Sequence, residues 1–533
     1  MHPLREGRVV KLISLRVFEA ATCGGLLDGL ELDFHADDAE RAFSAMCLVG
    51  PNGSGKSQLL QVLAEVFQSI AATVVSEEER KDGNPDLRFE IIYQLQSDGA
   101  QTIVRASRRD ARGVVLEREI GEDEWEPSGL DDPSTRSLVP SRIVGYTSGG
   151  NETLSLPFLL SRFHYAEAVY KEALGKQDDE SKVEDTRLLL IDYGTHLEVL
   201  VSNLLLGDAP LREALLTDSP AEDLHSFRCV VQLSLPGSSR PVALTDELQN
   251  YLDRLRQCAT CYEHDAKRQR WVFDFFVDDA MRQAFATLWP EGAFSLYTSV
   301  HKLAMLNDLG ISKSIREAFK RETKERRFHS TLPEPPDENK VFRFERVLFR
   351  SRDQGKTVDY VSLSDGEHQF VQVMGIFAML ADPNVLFLLD EPESHFNPKW
   401  RVDFVKNLLE LPTTRGRRSE GAIHQDCLLT THAPFVISDT SRDSVLIFDK
   451  HEGRIRVTRP RIETFGSTFD AILADCFAVQ PPISQLSRDL IEELLASRDV
   501  ADIEERMGQL GSSVDRALVA DHLRQLERER GGG

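Results

Sequence analysis

Eight residues constrain this chain more than any others. Gly50-Pro51-Asn52-Gly53-Ser54-Gly55-Lys56-Ser57 fits G-x-x-x-x-G-K-[ST] at every fixed position. An apolar run, Ala45 to Val49, leads into it, and a stretch with Leu59, Leu60, Leu63, Val66 and Phe67 at helical spacing leads out. Strand, Gly-rich turn and helix in that order let successive backbone N–H groups curl around a phosphate at the positive end of the helix. Lys56 then reaches the β- and γ-phosphates, and the Ser57 hydroxyl is placed to hold Mg²⁺. With Gln58 beside them, these residues form the candidate nucleotide-binding set. A chain built around such a loop is expected to be α/β.

The loop needs a second half, and the sequence supplies one about 330 residues downstream. Val385-Leu386-Phe387-Leu388-Leu389 reads as a buried strand delivering Asp390 and Glu391 at its carboxyl end. There a carboxylate can anchor Mg²⁺ (Asp390) and its neighbour can activate a water (Glu391). Leu363-Ser364-Asp365-Gly366-Glu367 opens the preceding helix, where a hydroxyl, a glycine and free N–H groups make a second phosphate cradle. Standing alone, that segment reads as an ordinary N-cap, and Asp390-Glu391 as an acidic pair ending a strand. His432 follows the apolar run Cys427 to Thr431, and a lone histidine there is more often structural. Their order along one chain shifts all three towards function.

Between the halves the texture changes. Residues 1–150 read as the first lobe of an α/β head. Residues 151–340 read as a mostly helical insertion, with only Phe227 to Leu235 and Arg270 to Phe276 looking β-like, closed by a proline-rich joint at 332–339. Residues 341–470 resume the α/β pattern, and 471–533 look helical and suited to a partner or oligomer contact.

Composition excludes little but does so clearly. A formal charge of -24 argues against a coat of non-specific nucleic-acid contacts, though not against one local basic groove. No apolar run approaches the roughly 18 residues needed to cross a bilayer. Seven scattered cysteines suggest reduced thiols, so a cytoplasmic protein without a membrane partner is expected. Cys258, Cys261 and His264 fall short of a zinc ligand set and are expected to pack in a helix. The basic stretch Lys313 to Arg327 is either a track for nucleic acid or a solvated helix face with ion pairs.

The order Gly50–Ser57, Leu363–Glu367, Asp390–Glu391, His432 resembles the ABC-type ATPases, in particular their DNA-associated branch with SMC, RecF and Rad-type proteins. There a helical arm splits the two halves of the ATPase head, as residues 151–340 do here. The resemblance implies a P-loop head with a mixed sheet that uses ATP and Mg²⁺, and a homodimer or higher homo-oligomer sandwiching two nucleotides. Ser364 and Gly366 would contact the γ-phosphate held by the partner subunit's Lys56. His432 would serve as the switch histidine, joining Lys56 and Glu391 as catalytic residues, with Ser57 and Asp390 as Mg²⁺ ligands. The family's glutamine ligand has no clear counterpart, and Asn151 is a weak candidate for it.

Tyr146 to Phe158 and Ile462 to Asp470 resemble the restriction-system-associated AAA-type ATPases, the PtuA subunits of Septu anti-phage systems, some of them retron-associated. That likeness implies an HNH endonuclease subunit as partner, and in retron forms a reverse transcriptase with its nucleic-acid product. DNA would be met directly or through the complex, with no nuclease in this chain. The alternative is a RecF- or Rad-type repair ATPase that binds DNA itself when ATP joins the heads.

Overall fold

The computed structural model describes residues 10–34, 44–74, 84–97, 100–110, 113–121, 123–129, 133–149, 152–175, 183, 185–192, 194–236, 240–324, 334–353, 355–380, 384–413, 416–417, 426–451, 453–480 and 483–531. The chain divides into two compact units, Met1–Gly466 and Ser467–Gly533. Asn151 and the basic residues 326 and 327 lie outside the described residues.

A seven-stranded sheet organises the first unit. Its strands run in the order Arg454–Thr458, Val445–His451, Ser44–Val49, Asp426–Thr430, Val385–Asp390, Arg142–Thr147, Leu188–Ile191. All neighbours are parallel except the terminal hairpin of Val445–His451 with Arg454–Thr458. Parallel strands covered on both faces need unbroken apolar runs, and Val385–Asp390 is buried at every position. This is the mixed-sheet α/β fold that the loop predicts. The register sets Asp390 beside Thr430 on one side and Thr147 on the other. The carboxyl ends of the strands therefore share one edge, where ligands of such sheets bind.

The last strand of that order is a departure from the sequence reading. Leu188–Ile191 falls in a stretch read as helical, yet it pairs with Arg142–Thr147 as an edge of the core sheet. Four consecutive buried aliphatics do not distinguish a strand from a helix segment, and pairing decides.

The helix Lys56–Thr73 is buried nearly all round. It shares one core with the seven-stranded sheet and with a six-stranded antiparallel sheet built from residues 11–33 and 88–127. Each fully buried leucine or phenylalanine of the helix contributes roughly 1.5–3 kcal/mol. Its buried Glu65 is satisfied by Gln61 at 2.9 Å, Thr22 at 3.1 Å and Asn84 at 2.8 Å. Asp426 ties the two sheets together by accepting the Leu12 N–H at 2.6 Å.

The segment read as insertion holds helices His196–Leu206, Asp246–Cys258, Asp279–Leu288 and Ala293–Met305 around a second core. It also holds more sheet than the sequence suggests. Its strands Cys261–Asp265, Arg270–Phe276 and Ala221–Gln232 continue into Phe342–Ser351 and Thr357–Asp359 of the following segment, forming in that order one antiparallel five-stranded sheet that crosses residue 340. Cys258 ends a helix, but exposed Cys261 starts an edge strand, and His264 stacks on Trp271 with centroids 4.3 Å apart. The hairpin with Arg270–Phe276 overrides the helical composition of this stretch. In the helix Lys313–Lys324, Arg316 and Lys320 both face Glu167, at 3.6 and 3.1 Å, and Phe319 packs edge-on against Phe163. That face of the basic helix is a packing surface.

The second unit carries Phe469–Phe477, Gln485–Ala496, Val500–Met507 and Val514–Gly531, with its own small core of Ile491, Leu494, Ile503, Val519 and Leu523. No helix among the described residues is long and apolar enough to cross a membrane.

Candidate nucleotide site

The loop between Val49 and Lys56 owes its shape to close approach. A side chain at Gly50, whose φ is 134°, would place its Cβ 2.1 Å from the Phe448 carbonyl oxygen. The loop can therefore lie against the neighbouring strand only with glycine there. Lys56 is 6% exposed and folds back to donate to the carbonyls of Gly50 at 2.9 Å and Pro51 at 3.1 Å. Burial holds its ammonium below the ordinary lysine value, against the pull of Glu391 and Asp390. The Ser54 hydroxyl is buried in the same loop without a hydrogen-bond partner among the described residues. A cation turned onto its own loop and an unsatisfied buried hydroxyl are what a phosphate-shaped cradle leaves behind.

Ser57 and Asp390, 333 positions apart, meet at 2.9 Å between hydroxyl and carboxylate. The same Asp390 oxygen accepts the Thr430 hydroxyl at 2.6 Å, and the Thr430 oxygen in turn accepts the Glu391 N–H at 3.0 Å. Hard oxygen donors side by side suit Mg²⁺, which needs only one or two protein ligands when phosphates supply the rest. Ser57 and Asp390 therefore fit the ion.

Glu391 leaves the strand in a left-handed conformation, φ 49°, and its carboxylate lies 3.6 Å from His432 Nε2. Burial and then Lys56 hold the imidazole below the ordinary histidine value, while Glu391 and Asp390 oppose them. His432 is thus neutral at pH 7 and can donate or accept a hydrogen bond.

Ser364 and Gly366 belong to another place. Ser364 caps the helix Asp365–Met379 in a reciprocal box with Glu367, its hydroxyl 2.7 Å from the Glu367 carboxylate. The helix fits the loop after Asp390 closely: a Cβ on Gly366 would come within 2.8 Å of the His395 carbonyl oxygen. Neither residue makes a hydrogen bond to Lys56 or Ser57 of its own chain. The structure thus gathers Lys56, Ser57, Asp390, Glu391 and His432, with Gln58 half-buried at the helix start, and leaves Ser364 and Gly366 exposed or wedged apart from them.

Three residues of this site escape a reading by motif. Thr430 bridges Asp390 and Glu391. Gln369 reaches from the capped helix to the Glu391 carbonyl and the Ser394 hydroxyl, both at 3.2 Å, and accepts the His395 N–H at 2.8 Å. Glu393 is 3% exposed and accepts the Thr431 hydroxyl. The available signal was a polar residue on the inward face of an apolar helix or strand.

Residues 245–438 match a family described as "AAA domain, putative AbiEii toxin, Type IV TA system". The matched stretch contains Ser364, Gly366, Asp390, Glu391 and His432. The Gly50–Ser57 loop lies outside it. A stretch of 138 residues is 25% identical to Protein ea59 of Escherichia phage lambda, and the match spans 25% of this chain and 25% of that protein. Among solved structures, the SMC head domain from Thermotoga maritima aligns over 85% of this chain and 100% of that one, at 10% identity and a TM-score of 0.32.

Proposed function

We propose that this chain is an ATP hydrolase of the ABC- and SMC-like type that turns over when two copies meet. The observation that carries the reading is the gathering of Lys56, Ser57, Asp390, Glu391 and His432 at one sheet edge, while Ser364 and Gly366 open a capped helix and make no hydrogen bond to Lys56 or Ser57 of their own chain. Lys56 and the loop N–H groups hold the β- and γ-phosphates. Ser57 and Asp390 hold Mg²⁺, which when bound neutralises charge on the phosphates. Glu391 takes a proton from water as the water oxygen bonds to the γ-phosphorus and the bond to the ADP oxygen breaks. Neutral His432 donates to the γ-phosphate oxygens. The Ser364 hydroxyl and the N–H groups behind it close the site from a second copy.

At a finer level we assign the chain to an anti-phage complex of the Septu kind, in which head engagement controls a bound HNH endonuclease. The support is the resemblance of Tyr146 to Phe158 and Ile462 to Asp470 to that group. A reverse transcriptase and its nucleic-acid product join in the retron form.

Two measurements test these levels separately. Lys56→Ala is expected to abolish ATP binding, and Glu391→Gln to bind ATP, stop turnover and accumulate a dimer seen by light scattering. Normal turnover in Glu391→Gln removes Glu391 from its role. Native purification at low salt with mass spectrometry is expected to recover a small HNH protein at fixed stoichiometry. A chain that elutes alone and binds DNA only with ATP favours the repair-type clamp instead.

A further inference from the structure

Glu393, two residues after Glu391, carries a buried carboxyl that the hydrolysis above does not use. One oxygen of Glu393 accepts the Thr431 hydroxyl, and the other is buried with no hydrogen-bond partner from another residue among the described ones. Burial pushes the group up to about 7, with Thr431, the residue's own backbone N–H and Arg401 opposing the rise and Glu391 adding to it. A half-satisfied buried carboxyl is a costly residue to keep for packing alone. Its placement points to what it does.

Thr431 immediately precedes His432. Its N–H donates to the Leu48 carbonyl at 3.2 Å, and its hydroxyl oxygen accepts the Ala433 N–H at 2.9 Å. The bond to Glu393 therefore ties the turn carrying His432 to the turn carrying Glu391. The latter turn needs holding. A left-handed backbone at a non-glycine residue persists only where its surroundings over-determine it. The Thr430 hydroxyl oxygen accepts the Glu391 N–H and the Gln369 carboxamide donates to the Glu391 carbonyl, and the Glu393–Thr431 bond adds a third tie.

We propose that Glu393 is a positioning residue whose bond to Thr431 clamps the two turns together and fixes Glu391 against His432. Its consequence for turnover rests on the ATP-hydrolase reading; the clamp itself is a property of the free protein. Without it, the Glu391–His432 pair loses its geometry while Lys56 and Ser57 keep theirs. Turnover falls and nucleotide affinity stays.

The test uses the full chain as Glu393→Ala, Thr431→Val, the double variant and Glu393→Gln. It reads kcat, KM for ATP, and backbone hydrogen–deuterium exchange without nucleotide in peptides covering 389–396 and 428–434. Each single variant is expected to lower kcat roughly tenfold to a hundredfold at unchanged KM and to speed exchange in both peptides. The double variant is expected to be no worse than either single one. Glu393→Gln, whose amide oxygen can still accept the Thr431 hydroxyl, is expected to restore both readings. Unchanged exchange in Glu393→Ala overturns the clamp whether or not the chain hydrolyses ATP. Faster exchange with normal kcat overturns the positioning role. If even the unaltered chain does not hydrolyse ATP, the enzymatic reading fails while the exchange data still decide the clamp. Should Glu393→Ala not fold, Thr431→Val carries the same measurements.

Discussion

Replacing Gly50 with alanine separates the two demands a phosphate loop makes on glycine. At Gly50 the added Cβ would stand 2.1 Å from the Phe448 oxygen and 3.1 Å from its carbonyl carbon, both backbone atoms of a paired strand. Relief requires the loop to move by about 1 Å, since ordinary contact begins near 3.4 Å and the strand is held on both sides. Its φ of 134° adds about 1–3 kcal/mol of backbone strain for any L side chain. Gly53 is the control: φ is 74° but nothing lies within 4 Å of its added Cβ. Gly53→Ala should therefore show only the left-handed penalty, about 1–2 kcal/mol. Titration with a fluorescent ATP analogue is expected to give a loss of roughly a hundredfold or more for Gly50→Ala and of tenfold or so for Gly53→Ala. Scanning fluorimetry should also show a larger drop in melting temperature for Gly50→Ala than for Gly53→Ala. Equal affinities in the two variants would refute the argument from close approach.

Three further outcomes follow from the same geometry. Thr430→Val removes the hydroxyl that joins Asp390 to the Glu391 N–H; leaving that N–H unpaired costs roughly 1–3 kcal/mol, and kcat should fall with little change in ATP affinity. Because His432 titrates below the ordinary histidine value, the rate should persist as pH falls through the usual range near 6.5 and decline only below it, while His432→Asn should lose that acidic limb. Glu393 has the opposite sign: its folded value is about 7 against 4.5 for the free group, so the protonated fold is favoured and stability is lost as pH rises from 4.5 to 7. The loss amounts to roughly 2–3 kcal/mol; urea melts across that interval should show it, and Glu393→Gln should flatten it.

What the sequence made legible was local. The strand–loop–helix around Gly50–Ser57 and the apolar run ending in Asp390 are each contained in a dozen or so residues, so pattern and chemistry coincide. The capping box at Ser364 is equally short-ranged. Leu188–Ile191 was not legible, because its strand character comes from pairing with Arg142–Thr147. Nor was Cys261–Asp265, whose strand is imposed by Arg270–Phe276. Thr430, Gln369 and Glu393 act through bonds spanning about 20–40 positions or more, and no spacing within a single element announces them. The twist at Glu391 was equally hidden, since glutamate has no preference for φ 49°.

The strand order has a consequence for synthesis. Ser44–Val49 lies between Asp426–Thr430 and Val445–His451, which emerge about 380 residues or more later. At 5–20 residues per second its hydrophobic edges wait on the order of 20–80 s for their neighbours. Until then the nascent head has an apolar strand with no ladder to join, which is a natural client for a holdase. A ribosome that stalls anywhere before residue 430 leaves an unfinished sheet open for another chain to complete, so truncated products of this protein should aggregate rather than fold as smaller domains.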